Sequence, residues 1–259
     1  VKTAKKATIV CIRCGQKNEG LLCSCGYWNV ATDARLLSAL TTLDKVQDEK
    51  VDRLDCGRWG YCFGGGIAKG TISLVGGYPG AGKSTLFLHI ADVLQCNVLY
   101  LASEEKLIRI KQRADRLGLS RERQAAISAV RLTTGEVPEL ADVVKKHPMM
   151  MLDSVNMLTE DPTSAVKFCS MLSGLCERFG VTCLLTSHVT KGGDIAGFEA
   201  LQHVVDWTGM LFPEENIRTL LVEKNRNGMA FCKQQYEMGA RGLEIIGEES
   251  PGQFEEESE

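Results

Sequence analysis

No segment of this chain limits its fold more than Gly77-Tyr78-Pro79-Gly80-Ala81-Gly82-Lys83-Ser84. It satisfies the pattern G-x-x-x-x-G-K-[ST], a loop that must wrap its backbone N–H groups around phosphate oxygens and therefore tolerates few side chains. Such a loop works between a strand and a helix, whose positive N-terminal end then points at the anion. Both neighbours are expected here. Thr71–Val75 is an apolar run suited to a buried strand, and a helix should run from Lys83 to about Leu94. Gly77, Pro79, Gly80, Ala81, Gly82, Lys83, Ser84 and Thr85 are thereby assigned to a nucleotide phosphate site. Lys83 is expected at the β and γ phosphates of ATP and the Ser84 hydroxyl at Mg²⁺.

Downstream, short apolar runs alternate with helical patterns. Asn97–Leu101, Met149–Asp153 and Val181–Thr186 read as buried strands, with a shorter strand at Val130–Leu132. Helices are expected at Glu105–Leu117, Glu136–Lys146 and Ala165–Phe179. Strands follow at Val204–Leu211 and Ile217–Glu223, then late hairpins around Gly228–Tyr236 and Leu243–Ile246. This order implies an α/β fold, a mostly parallel central sheet with helices on both faces. The basic residues Lys106, Arg109, Lys111, Arg113 and Arg116 fall on one helix and read as a solvated face.

In an open parallel sheet, the C-terminal strand mouths collect at one edge, and chemistry gathers there. Asp153 ends a strand beside that edge and suits Mg²⁺, directly or through water; a strand-end cap is its plainer reading. Glu104 and Glu105 follow the Asn97–Leu101 strand. Either is placed to polarise an attacking water, and Glu105 equally suits a helix N-terminus. Ser187-His188 ends the fourth strand, where the imidazole is expected to sense the γ-phosphate.

Eleven cysteines, an odd number without an export signal, argue against a disulfide framework. Cys11-x-x-Cys14 and Cys23-x-Cys25 instead have spacing that suits one tetrahedral Zn²⁺, although the second pair is one residue tighter than the usual knuckle. Iron–sulfur ligation is the remoter alternative. A segment this short has no core of its own, so a metal would supply much of its folding energy. The remaining cysteines sit mostly in apolar runs and read as small buried hydrophobes. The formal net charge of −3 conceals an asymmetry. Lys2, Lys5, Lys6, Arg13 and Lys17 precede the first acid, while Glu248–Glu259 carries six glutamates and no base. An anionic partner is compatible with this but not demanded. With no secretory signal and no apolar span of about 18 residues, a cytoplasmic protein without a membrane partner is expected. The expected organisation is a zinc ribbon over 1–29, a linker over 30–55, an ATPase domain over 56–247 and an acidic disordered tail over 248–259.

Several motifs together carry a family likeness. The four-cysteine segment with Gly26-Tyr27-Trp28-Asn29 is followed by Gly64-Gly65-Gly66, the phosphate loop, Ala102-Ser103-Glu104-Glu105, Arg113-Ala114-Asp115-Arg116-Leu117-Gly118 and Leu152-Asp153-Ser154. The run closes with Ser187-His188-Val189-Thr190-Lys191 and Glu223-Lys224-Asn225-Arg226-Asn227-Gly228. The chain resembles the bacterial RadA/Sms recombination ATPases over nearly its whole length. That resemblance implies a RecA-like motor behind a zinc ribbon, assembled as a hexameric ring on single-stranded or branched DNA, with a role in branch migration, recombination and repair. It also implies a recombinase as a further partner. Lys224 and Arg226 would reach the nucleotide of a neighbouring subunit; a solvated charge cluster at a strand end is the plainer reading. The sequence departs from the family in its single spacer between Cys23 and Cys25, in Asn227 where phenylalanine is usual, and through Asp55–Phe63. The family's Lon-protease-like domain, which follows the motor and helps assemble the ring, is not included. Two other readings are a regulatory or signalling ATPase of the same fold that works through protein partners without DNA, and a module that holds ATP without turning it over.

Overall fold

The computed structural model describes residues 9–10, 14–18, 24–25, 42, 45, 50–132, 143–159, 161–189 and 200–251. They form two compact units, 1–50 and 51–259. In the first, β1 (Ile9–Val10) pairs antiparallel with β2 (Lys17–Asn18), and Cys14 lies in the segment that joins them. Ser24 Oγ donates to Gln16 Oε1 at 2.9 Å, which sets the turn at Ser24–Cys25 beside that hairpin.

The second unit opens with β3 (Arg53–Leu54), within the stretch expected as linker, paired antiparallel with β4 (Ile67–Ala68). Between them Gly57–Phe63 forms a 3-10 helix. The principal elements follow as β5 (Ile72–Gly77), α1 (Lys83–Val93), β6 (Val98–Ala102), α2 (Leu107–Leu117), α3 (Arg121–Ala125) and β7 (Ile127–Arg131). Then come β8 (Met149–Asp153), α4 (Pro162–Phe179), β9 (Thr182–His188), β10 (Trp207–Glu214), β11 (Ile217–Asn225), β12 (Lys233–Gly239) and β13 (Gly242–Glu249). Among the described residues nine strands join one sheet in the order β13-β12-β11-β10-β5-β9-β8-β6-β7. The six from β10 to β7 are parallel, and β11, β12 and β13 extend one side as an antiparallel meander. The expected α/β class and largely parallel sheet are therefore present.

Strand alternation divides the core between the two faces of the sheet. Val98, Tyr100, Met149, Met151 and Leu184 pack with Leu86, Phe87 and Ile90 of α1 and Ile110 and Ala114 of α2. Leu99, Leu101, Met150, Leu152, Cys183 and Leu185 pack with Phe168, Cys169, Leu172 and Cys176 of α4 on the other face. Both faces are covered, so Met149–Asp153 is buried throughout, as an interior parallel strand requires. Local chemistry sets the helix ends. In α4, Asp161 accepts from Ser164 N at 3.0 Å, Pro162 takes the first turn, and Gly180 stops the helix at φ +65°.

Several boundaries move relative to expectation. The short strand expected at Val130–Leu132 is β7, which starts at Ile127 because its backbone pairs with β6 although its side chains are mostly exposed. α3 was not anticipated, and five residues capped by Ser120 leave little periodicity to detect. β9 and β10 run to His188 and Glu214, further than their apolar residues indicate. Glu248 and Glu249, assigned by composition to the tail, finish β13 against Gln234 and Lys233. Residues 136–142 of the expected Glu136–Lys146 helix, and 252–259, lie outside the described residues. No helix among the described residues is long and apolar enough to cross a membrane.

Candidate active site

The C-terminal ends of β5, β6, β8 and β9 open into one cavity of about 250 Å³, lined by residues of the phosphate loop together with Glu104, Glu105, Arg113, Asp153, His188 and Met238. The loop turns from β5 into α1 with Gly80 at φ +79° and Gly82 at φ +105°, conformations that an L side chain rarely adopts. A Cβ on Gly82 would also come within 2.9 Å of Met238 Cε, so the loop is closed on its outer side by β12. These glycines leave backbone amides and the start of α1 as the lining of an anion cradle. The site therefore fits a nucleotide polyphosphate.

Lys83 is buried, and its ammonium donates to Gly77 O at 2.7 Å and Tyr78 O at 3.1 Å. Burial pulls its pKa down to about 8, with Asp153 and Glu104 pulling the other way. Asp153 is buried at the end of β8. Tyr100 Oη donates to its Oδ2 at 2.9 Å and Thr186 Oγ1 to its Oδ1 at 2.6 Å. Burial and the adjacent carboxylate push the Tyr100 phenol well above its ordinary range, which keeps it a donor. A buried carboxylate held by two donors, lining the same cavity as Ser84 of α1, is part of a donor set of oxygen atoms that suits Mg²⁺.

The two glutamates have different partners. Glu105 Oε1 accepts from Arg113 Nη2 at 2.9 Å, while Glu105 Oε2 and Arg113 Nη1 are buried without a hydrogen-bond partner among the described residues. Glu104 Oε2 lies 2.8 Å from His188 Nε2, and His188 Nδ1 lies 3.4 Å from Lys83 Nζ. An ammonium only donates, so this contact assigns the acceptor role to Nδ1 and leaves Nε2–H to donate to Glu104. Lys83, His188 and Glu104 thus form one line of contacts across the cavity.

Lys224 and Arg226 are not brought to it. Lys224 pairs with Thr208, which pairs with Leu74, and Arg226 N donates to Asp206 O beyond that point. Asp206 N in turn donates to Ile72 O, at the start of β5. Five residue steps of strand lead from Ile72 to Gly77, about 17 Å at the usual rise. The chain supplies acceptors for both cations. Lys224 Nζ donates to Gln202 O and to Val205 O at 2.8 Å, and Arg226 Nη1 meets Asp206 Oδ1 at 3.2 Å. Arg53 braces the same corner, donating to Phe63 O at 2.8 Å, Gly66 O at 2.9 Å and Asn227 O. Trp207 Nε1 donates to Cys62 O at 2.9 Å, and its ring stacks on Phe63. Arg53 therefore ties the end of the unfamiliar stretch Asp55–Phe63 to the loop after β11, where Asn227 contributes its backbone carbonyl.

Of the four cysteines assigned to zinc, Cys14 and Cys25 are described and exposed, and Cys11 and Cys23 lie outside the described residues. Among the described residues no group of three or more His, Cys, Asp or Glu is arranged to hold a metal ion. Residues that sequence reasoning missed are Tyr100, Thr186 and Met238, and Arg113 was read as solvated. Only the tertiary fold turns them toward the site. The one sequence trace was Arg113 in a motif shared with the resembled family.

Comparison with known proteins agrees with this geometry. A family model described as an AAA domain matches residues 38–194. The DNA repair protein RadA of Haemophilus influenzae is 30% identical over 94% of this chain and 60% of its own length. That of Aquifex aeolicus is 31% identical over 95% of the chain and 61% of its own length, and that of Bacillus subtilis 29% over 92% and 59%. The chain spans about three fifths of the length of these relatives.

Proposed function

Since the chain belongs to the AAA-domain family and is homologous to the bacterial DNA repair protein RadA, we propose that it is an ATP hydrolase that works on DNA in recombination and repair. The observation that carries this reading is the single cavity that joins the phosphate loop, Asp153, Glu104 and His188.

In the mechanism we infer, the loop amides and the Lys83 ammonium hold the polyphosphate of ATP and meet the charge that develops on the transferred phosphoryl group. Ser84 and Asp153 would hold Mg²⁺, which neutralises phosphate charge. Glu104 orients and polarises the attacking water. Glu105 suits that task less well, since its carboxylate is ion-paired to Arg113 and its side chain is less exposed than that of Glu104. His188 links Glu104 to Lys83, so that a γ-phosphate drawing on the ammonium is felt at the water-polarising carboxylate. Arg226, half exposed and at the far strand end from its own phosphate loop, serves a nucleotide on a neighbouring subunit of a ring, together with Lys224. Cys11, Cys14, Cys23 and Cys25 would hold one structural Zn²⁺; the hydrogen bond from Ser24, the neighbour of Cys25, to Gln16, two residues after Cys14, supports this.

Single-stranded DNA should raise the rate of ATP hydrolysis at least several-fold, and Glu104→Gln should bind ATP yet show neither basal nor stimulated turnover. Hydrolysis indifferent to single-stranded and branched DNA would favour a regulatory ATPase that answers to a protein. ATP binding without turnover would identify a nucleotide-holding module.

A further inference from the structure

Asn156 lies in the Val155–Met157 turn, three residues beyond Asp153, and belongs to no motif singled out in the sequence. Its Oδ1 accepts two hydrogen bonds from the end of β9, from His188 N at 2.7 Å and from Ser187 Oγ at 3.1 Å. The location explains the need. The β8–β9 ladder ends at Leu152 and Leu185. Beyond it β8 turns away, and the His188 amide takes its acceptor from the Asn156 side chain. Ser187 and His188 also separate two spaces. His188 lines the nucleotide cavity, whereas Ser187 and Asn156 line a second cavity of about 220 Å³ with Thr159, Asp161 and Leu201. One oxygen thus clamps the strand end at the residue whose ring must reach both Lys83 and Glu104.

We propose that Asn156 is a positioning residue for ATP hydrolysis, fixing the backbone of His188 so that Nδ1 faces Lys83 and Nε2 faces Glu104. The inference deepens the hydrolase reading and rests on it. Asn156 touches neither phosphate loop nor Asp153 through any hydrogen bond described, so its influence passes through His188. A displacement of about 1 Å in such a group is enough to cost up to a hundredfold in rate. The isosteric Asn156→Leu removes the acceptor, and Asn156→Asp keeps an oxygen in the same place.

The experiment measures kcat and the KM for ATP of the whole chain, in wild-type and His188→Ala backgrounds. In the wild-type background Asn156→Leu should lower kcat about tenfold to a hundredfold while KM stays within about twofold, and Asn156→Asp should regain most of the loss. In the His188→Ala background Asn156→Leu should change kcat by less than about twofold, because the residue it positions is gone. An equal fold loss in both backgrounds, a loss confined to KM, or a wild-type kcat for Asn156→Leu would each overturn the proposal. Should the Leu variant fail to fold, Asn156→Ala takes its place in the same cycle. A wild-type chain without ATP turnover sinks the hydrolase reading itself, an outcome distinct from any of these.

Discussion

Lys83 carries a conflict between solvation and function. Its ammonium is buried, which lowers its pKa from 10.5 to about 8. Below about pH 8 folded and unfolded chains both hold the proton, and the full cost of burying the charge is present. Between about 8 and 10.5 the folded chain holds fewer protons than the unfolded one, so stability from this group rises with pH across that window. ATP reverses the preference, since phosphate oxygens favour the ammonium. Binding above about pH 8 must take up a proton, and affinity should fall with rising pH by at most about tenfold per unit. Lys83→Ala should abolish turnover, weaken Mg²⁺-ATP binding and flatten this dependence, as equilibrium binding at several pH values would show. Wild-type turnover in Lys83→Ala would remove the phosphate-loop reading.

At the scale of elements, the two apolar core layers among the described residues belong to the second unit, where they lie against a sheet. The β1–β2 hairpin has strands of two residues each, far short of what holds a hairpin together in water. A tetrahedral metal would supply the missing stabilisation. Elemental analysis of protein kept reduced should give about one zinc per chain, and a chelator should unfold the first unit while leaving ATP binding by the second in place. Absence of zinc with all four thiols reactive toward a thiol reagent would defeat the assignment. The other cysteines behave differently. Cys56, Cys62, Cys169, Cys176, Cys183 and Cys232 are buried among apolar side chains, and burial pushes the Cys56 and Cys169 thiols up to about 12.

At the scale of the whole molecule, the Lys224–Arg226 corner and the phosphate loop lie at opposite ends of the parallel strands. A rigid sheet cannot bring them together within one chain, so a role for Arg226 in hydrolysis requires a second subunit. Arg226→Ala should then cut turnover by orders of magnitude with little change in ATP affinity. Mixing Lys83→Ala with Arg226→Ala should recover part of the activity, at interfaces that pair an intact phosphate loop with an intact Arg226. No recovery despite demonstrated subunit exchange would leave Arg226 a structural residue, holding Asp206 at the start of β10.

The sequence by itself determined the phosphate loop, its flanking strand and helix, the interior strands and the mouth residues Asp153, Glu104 and His188. These follow from local rules: glycines where the backbone must turn left-handed or approach an anion, and apolar runs where both sheet faces are covered. Only the tertiary structure decided that the two glutamates have different partners, because Arg113 reaches Glu105 from eight residues away across a helix turned inward while His188 meets Glu104. Tertiary structure also decided that Tyr100 and Thr186 hold Asp153 from two neighbouring strands, that Asn156 holds His188, and that Lys224 and Arg226 find acceptors at the far end of the sheet. The reason is physical. A periodic pattern records which face of an element is buried, whereas a polar side chain's partner depends on strand order and register, and these become defined only once non-local strands pair.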